Sequence, residues 1–244
     1  MRLTTLWSLA LVALLLTAGC SPFDDQLPAP IHRLWNPTWR SVSERQQEYG
    51  TAARSRVAAS FERAGVAYPP SRIVLLALKR ERVLEVYAAN PGAPMRYIRT
   101  YSVKAASGHL GPKLREGDRQ VPEGVYDCEE LNANSDYHLS LRVGYPNDID
   151  WDHAVADGRT EPGQDIMIHG NAKSVGCLAM GDQAAEDLFI LAADTGREHV
   201  KIVIAPVDFR RGERVAPEAL AKMPPWTPTL YATIKAAMAE LPKP

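Results

Sequence analysis

Two side chains in this sequence have the types and spacing to make and break an acyl bond. They are His169 and Cys177, in the stretch Ile168-His169-Gly170-Asn171-Ala172-Lys173-Ser174-Val175-Gly176-Cys177-Leu178-Ala179-Met180. A thiolate is the nucleophile of sulfur-based acyl transfer, and imidazole is well suited to take and return its proton. A short loop starting at a strand end could fold back and bring the ring to the sulfur. Gly176 would let a substrate approach the backbone closely, and the amides of Gly176 and Cys177 could stabilise an oxyanion. Plainer readings stand beside this one. A lone buried cysteine is usually inert packing, and a strand-end histidine is often structural.

The order of the pair narrows the chemistry. Papain-like proteases place the cysteine well before the histidine, the reverse of this chain. His138, His153, His169 and Cys177 could in principle gather around zinc, but neither HExxH nor CxxC spacing is present to support a metal site. Cys128 reads as structural. Pairing it with Cys177 would abolish nucleophilicity, so acyl transfer requires Cys177 to stay a free thiol.

Positioning such a pair falls to a β-rich frame. Ser41-Val42-Ser43-Glu44 has capping-box spacing, and a helix is expected from there to about Ala64, closing at Gly65. Apolar runs at 73–78 and 83–87 flank a charged turn as in a hairpin, and 97–103 alternates as a third strand. Residues 125–126, 139–143, 165–168 and 200–204 read as further strands, separated by loops rich in Gly, Pro, Asn and Asp. Asp182 can cap a helix through Ala193. Leu230, Ile234, Met238 and Leu241 form the apolar stripe of a last helix, expected to pack on the domain. The expected fold is mostly β with flanking α-helices.

Composition sets outer bounds. With 244 residues, 45% hydrophobic, the chain has material for a full core, and 28 basic against 29 acidic side chains argue against a nucleic-acid partner. Nineteen prolines make a long helical bundle improbable, and three cysteines are too few for a disulfide scaffold. The start, Met1-Arg2, then an apolar run to Leu16 and small residues before Cys20, has the three-part pattern of an export signal. That run is too short for a comfortable membrane span. Residues 1–19 read as a lipoprotein-type signal with Cys20 as the lipidated mature N-terminus. The alternative is ordinary cleavage near Ala18-Gly19 with Cys20 incidental.

Several segments together resemble the L,D-transpeptidase (YkuD-type) catalytic domain of bacterial cell-wall enzymes. These are Ile168-His169-Gly170, Ser174-Val175-Gly176-Cys177-Leu178, and upstream Gly117-Asp118-Arg119-Gln120-Val121-Pro122-Glu123-Gly124-Val125-Tyr126. The likeness covers roughly 72–206. Val175 stands where that family has a second histidine, Val121 where it has threonine, and the loop from His169 to Cys177 is about half the family length. With Ser140-Leu141-Arg142-Val143-Gly144-Tyr145-Pro146-Asn147, these features are similar to a Gram-negative murein subgroup related to YafK.

The resemblance implies that Cys177 attacks a diaminopimelate carbonyl of a peptidoglycan stem peptide. His169 serves as general base and acid, and the Gly170 carbonyl orients its ring. The thioester is then resolved by an amine or by water, without metal or organic cofactor. Lys173 and Ser174 could meet substrate carboxylates or simply be solvated loop. Tyr145 could line the cleft or the core, and Asn147 the cleft or a turn. Expected partners are peptidoglycan stem peptides, with a peptidoglycan-linked outer-membrane lipoprotein as a candidate. Membrane contact would be through the lipid anchor only, in the periplasm of a Gram-negative bacterium. The expected layout is tether 20–40, helical lead-in 41–70, catalytic domain 71–207 and C-terminal helical extension 208–244. A different class, a peptidoglycan-binding lipoprotein using the same cleft without turnover, is the alternative.

Overall fold

The first helix, α1 (Val42–Ala64), begins where its capping box predicts: Ser41 Oγ accepts the Glu44 N–H, and the Glu44 carboxylate accepts the Ser41 N–H at 2.9 Å. It ends at Gly65, whose φ of 65° makes the left-handed cap. Residues 36–244 are described in the computed structural model, so the export signal and Cys20 lie outside the described residues.

Nine strands follow: β1 (Arg72–Leu78), β2 (Val83–Ala89), β3 (Arg96–Ser102), β4 (Ala105–Ala106), β5 (Gly124–Asn132), β6 (Ser140–Val143), β7 (Met167–His169), β8 (Leu178–Ala179) and β9 (Val200–Ala205). They line up as β3-β2-β1-β9-β5-β6-β7-β8-β4. Neighbours run antiparallel except β1 with β9 and β7 with β8. The long β5 joins the two halves, pairing with β9 through Gly124–Asp127 and with β6 through Cys128–Asn132. Helices α2 (Asp148–Ala156), α3 (Asp182–Thr195), the short α4 (Pro217–Leu220) and α5 (Thr227–Ala239) complete the frame. The fold is thus mostly β with flanking helices.

The first strand shows why its sequence is a continuous apolar run and not an alternation. Ile73, Leu75 and Ala77 enter one core with Val57 and Phe61 of α1 and Leu188 and Phe189 of α3. Leu76 and Leu78 point the other way, into a second core with Leu230, Ile234, Met238 and Leu241. A strand covered on both faces has no polar side to show. Ile234 and Met238 are each 0% exposed, which is worth about 1.5–3 kcal/mol per side chain. Ion pairs bolt α1 to α3: Arg56 reaches Asp187 at 2.6 Å and Glu186 at 2.7 Å, and Arg54 reaches Asp194 at 2.7 Å.

Two local expectations change. Asp182 does not cap α3. Gly181 occupies the cap position, and the Asp182 carboxylate accepts the Asn171 N–H at 2.7 Å instead. Helix α2 lies where the sequence reads as loop. Ala154 is its one buried residue, so it carries no apolar stripe, and Asn147 starts it with a capping box to Asp150.

Candidate active site

Three residues of β7 position everything else. On one side β7 pairs with β6, Ser140 opposite His169; on the other it pairs in parallel with β8, Ile168 beside Leu178 and His169 beside Ala179. Extending that register by one residue sets Cys177 beside Met167. His169, two positions further along, projects from the same face as Met167. Diagonal same-face neighbours lie roughly 7–8 Å apart, somewhat closer at Cβ, within reach of an aromatic side chain. The loop between them is clasped at its neck by backbone bonds from Met180 N–H to the His169 carbonyl and from Gly181 N–H to the Asn171 carbonyl, both 2.8 Å. Asn171 turns the chain with a φ of 60°, a conformation asparagine tolerates.

His169 is 2% exposed, and its Nδ1 lies 2.6 Å from the Gly170 carbonyl oxygen. A carbonyl only accepts, so Nδ1 carries the proton and Nε2 is left as the basic nitrogen. Burial holds the imidazole below the ordinary histidine value, and the bond to Gly170 partly opposes this. Gly170 has to be glycine for packing reasons. A Cβ there would come within 2.7 Å of the Tyr137 carbonyl oxygen and of Asp182 Oδ1, and 3.0 Å of His138 Cβ. On the ring itself lies Tyr137, centroids 4.8 Å apart and planes tilted by 34°.

Cys177 is a free, partly buried thiol. Its Sγ lies 3.7 Å from the Asp165 carbonyl oxygen. Burial raises its pKa; the Met167 amide beside the sulfur and the Lys113 ammonium pull it down, while the Asp165 carboxylate pushes it up. Lys113 is nearly buried and bonds Asp118 at 2.7 Å. With Cys177 raised and His169 lowered, the resting pair at neutral pH is thiol and neutral imidazole, ready for proton transfer but not yet ionised.

The loop before the sulfur is stitched to the segment after β4. Ser174 Oγ donates to the Cys177 carbonyl at 2.6 Å and accepts the Ser107 N–H at 3.3 Å. Ser107 Oγ accepts the Gly176 N–H at 2.6 Å, and Gly176 holds a φ of 94° that only glycine adopts freely. The Gly176 amide expected to meet an oxyanion is therefore occupied by Ser107 in the resting arrangement. Ser174, read as either a contact for substrate carboxylates or solvated loop, has its hydroxyl turned onto backbone.

The remaining candidates separate. Lys173 is exposed on the loop. Tyr145 takes the core position and not the cleft: it is 4% exposed, and its hydroxyl donates to the Pro162 carbonyl at 2.9 Å. Asn147 is the cap of α2, its amide donating to the Val125 carbonyl at 3.1 Å. Cys128 is buried, and that burial pushes its thiol up to about 12. His138 bonds Glu186 at 3.1 Å and His153 stacks on Trp226 at 3.9 Å, so the histidines weighed as zinc ligands do not gather. Tyr137, Ser107 and Lys113 are the site neighbours that sequence reasoning missed. Each reaches the pair from a distant segment, and Tyr137 at least sits just before the strand run 139–143.

The family model of the L,D-transpeptidase catalytic domain, YkuD, matches residues 71–204. YafK of Escherichia coli (strain K12), a provisionally named L,D-transpeptidase, is 32% identical over 141 residues, covering 56% of this chain and 54% of that protein. The chain therefore spans about half the length of the curated relatives it matches. Among solved structures, the helical cell shape determining protein Pgp2 from Campylobacter jejuni is 24% identical over 58% of this chain and 50% of that one, with a TM-score of 0.45. Mycobacterium tuberculosis L,D-transpeptidase 1 is 16% identical over 55% and 62%, with a TM-score of 0.32. The family match takes in both His169 and Cys177 with the strands that hold them, and on it the chain belongs to the YkuD family of L,D-transpeptidase catalytic domains.

Proposed function

We propose that this protein transfers acyl groups of peptidoglycan stem peptides through a thioester on Cys177. The observation that carries this reading is the buried imidazole of His169, its Nδ1–H fixed on the Gly170 carbonyl and its Nε2 left basic, with a free thiol two residues off its register on the neighbouring chain segment. In the acylation step the thiol gives its proton to Nε2 as sulfur bonds to the diaminopimelate carbonyl carbon. The C–N bond then breaks, and the leaving nitrogen takes that proton from Nε2. In the second step an amine or water loses a proton to Nε2 and attacks the thioester, and the proton returns to sulfur as the C–S bond breaks. The Cys177 N–H, with the Gly176 N–H if Ser107 yields it, faces the developing oxyanion. Lys173 is the side chain retained as a candidate for substrate carboxylates. Work in the periplasm, held by a lipid on Cys20, follows from the reading of residues 1–20, and a peptidoglycan-linked lipoprotein remains a candidate acceptor or substrate.

The test is incubation of the full mature protein with purified sacculi, followed by mass spectrometry of the released muropeptides. New 3-3 dimers would mark transpeptidation; loss of crosslinks or release of bound protein would mark hydrolysis. Identical profiles from wild type and Cys177→Ala would overturn the reading and leave a binder without turnover.

A further inference from the structure

Tyr137 is 43% exposed, although its ring lies against a histidine that is 2% exposed. The two rings are 4.8 Å apart with a tilt of 34°, so the tyrosine lies over the imidazole while part of the residue stays open to solvent. The backbone that carries it is braced. Tyr137 N–H donates to Ser135 Oγ at 3.2 Å, and Gly170 N–H donates to the Leu139 carbonyl at 3.2 Å. His138, held at a φ of 78°, bonds Glu186 of α3 at 3.1 Å and meets the ring of Tyr49 at 5.1 Å. The absent Cβ of Gly170 is what admits this segment so close to the histidine. A ring fixed against the imidazole and open to solvent is in place for a use at that site.

The use follows from which atoms meet at His169. The same Nε2 protonates the leaving amine and later takes the proton of the acceptor. Whatever stands against that ring therefore touches the residue that departs and the molecule that replaces it. We propose that Tyr137 is a specificity-determining residue: its exposed part packs on the side chain of the amino acid carrying the leaving amine, and then on the incoming acceptor, favouring an amino-acid amine over water. The proposal rests on the reading of Cys177 as acyl carrier and His169 as its acid–base partner.

Intact-protein mass spectrometry tests it. Tetrapeptide stems ending in glycine, D-alanine or D-phenylalanine serve as donors, and the gain and loss of the Cys177 adduct is timed with D-alanine amide or water as acceptor. Wild type, Tyr137→Phe and Tyr137→Ala are compared after thermal melts show equal folding. In Tyr137→Ala, the preference for D-alanine over glycine as leaving residue should fall about tenfold, the scale of one lost aromatic contact. The ratio of aminolysis to hydrolysis should fall alongside it. Tyr137→Phe, which keeps the ring, should stay within about twofold of wild type. If Tyr137→Ala slows all three donors by one common factor and leaves both ratios unchanged, the ring merely holds His169 and the proposal is overturned. A wild-type protein that never forms an adduct would instead overturn the acyl-carrier reading beneath it.

Discussion

Gly170→Ala is the substitution for which the structure gives the sharpest expectation. One added methyl would sit 2.7 Å from the Tyr137 carbonyl oxygen and 2.7 Å from Asp182 Oδ1. The first of these is backbone and cannot swing away. The second already accepts the Asn171 N–H at 2.7 Å, so moving it breaks a bond at the mouth of the loop. Relief has to come from shifting residues 169–170, and the Gly170 carbonyl that orients His169 moves with them. Overpacking of this kind costs about 1–3 kcal/mol, and the lost or bent imidazole bond about 1 kcal/mol more. For a domain of this size each kcal/mol lowers Tm by about 2–4 °C, so a fall of roughly 4–16 °C is expected by calorimetry. Turnover on sacculi should drop further than stability, by about 100-fold, because an ångström of misplacement at the base is enough for that. A variant that keeps wild-type Tm and activity within twofold would refute the claim that packing at Gly170 sets the imidazole.

The other expectations concern the thiols, the pH range and the loop. Iodoacetamide at pH 8 should label Cys177 more slowly than free cysteine, since burial raises its pKa, but well before Cys128, which is 2% exposed with its thiol pushed up to about 12. Peptide mapping that finds equal labelling would contradict this. In the proposed mechanism the active pair is neutral thiol with neutral imidazole. Protonating His169 removes the base, and because its pKa is lowered, the acid limb of kcat/KM should lie below about pH 6.5. Ionising Cys177 removes the proton destined for the leaving amine, and because its pKa is raised, the alkaline limb should lie above about pH 8.5. An acid limb above the ordinary histidine value would contradict a buried, lowered imidazole as the base. Ser174→Ala deletes the 2.6 Å bond to the Cys177 carbonyl and should cost about 1 kcal/mol of stability and about tenfold in acylation rate, with the adduct mass unchanged. A variant acylated at the wild-type rate would show that this tie is dispensable.

What could be read from the sequence was whatever depends on neighbours along the chain. The run Ile73-Val74-Leu75-Leu76-Ala77-Leu78 announces a strand, and Ser41 with Glu44 announces the start of α1. His169 and Cys177 stand out because they lie eight positions apart on one short loop. Helix α2 was hidden because a helix with only Ala154 buried leaves no stripe. Asp182 looked like a cap because carboxylates favour helix starts, but the Asn171 N–H across the loop neck competes for it and wins. Tyr145 and Asn147 offered the same chemistry to cleft or scaffold, and only the partners at Pro162, Val125 and Asp150 decide. Tyr137 and Ser107 were out of reach altogether. Their contacts with His169 and Gly176 arise from the pairing of β6 with β7 and of β4 with β8, and register of that kind is a property of the assembled sheet.

The same pairing bears on why the site can keep a reactive sulfur without a permanent charge. Cys177 follows a Gly176 amide held by Ser107 and precedes β8, which lies between β7 and β4, so its backbone is fixed on both sides. A thiolate formed at rest there would face the Asp165 carboxylate without the help of a protonated histidine, since burial disfavours the imidazolium as well. Two separated charges in this partly dry setting cost more than the neutral pair. In the proposed acyl transfer the proton therefore moves only when a carbonyl carbon is in place to take the electron pair and amide donors are in place to take the oxyanion. Lys113 tempers that cost without cancelling it, because Asp118 already binds its ammonium at 2.7 Å. On the proposed mechanism the nucleophile is thus generated by substrate and not stored, and a thiol kept in that form is a slow target for oxidants in the intervals between turnovers.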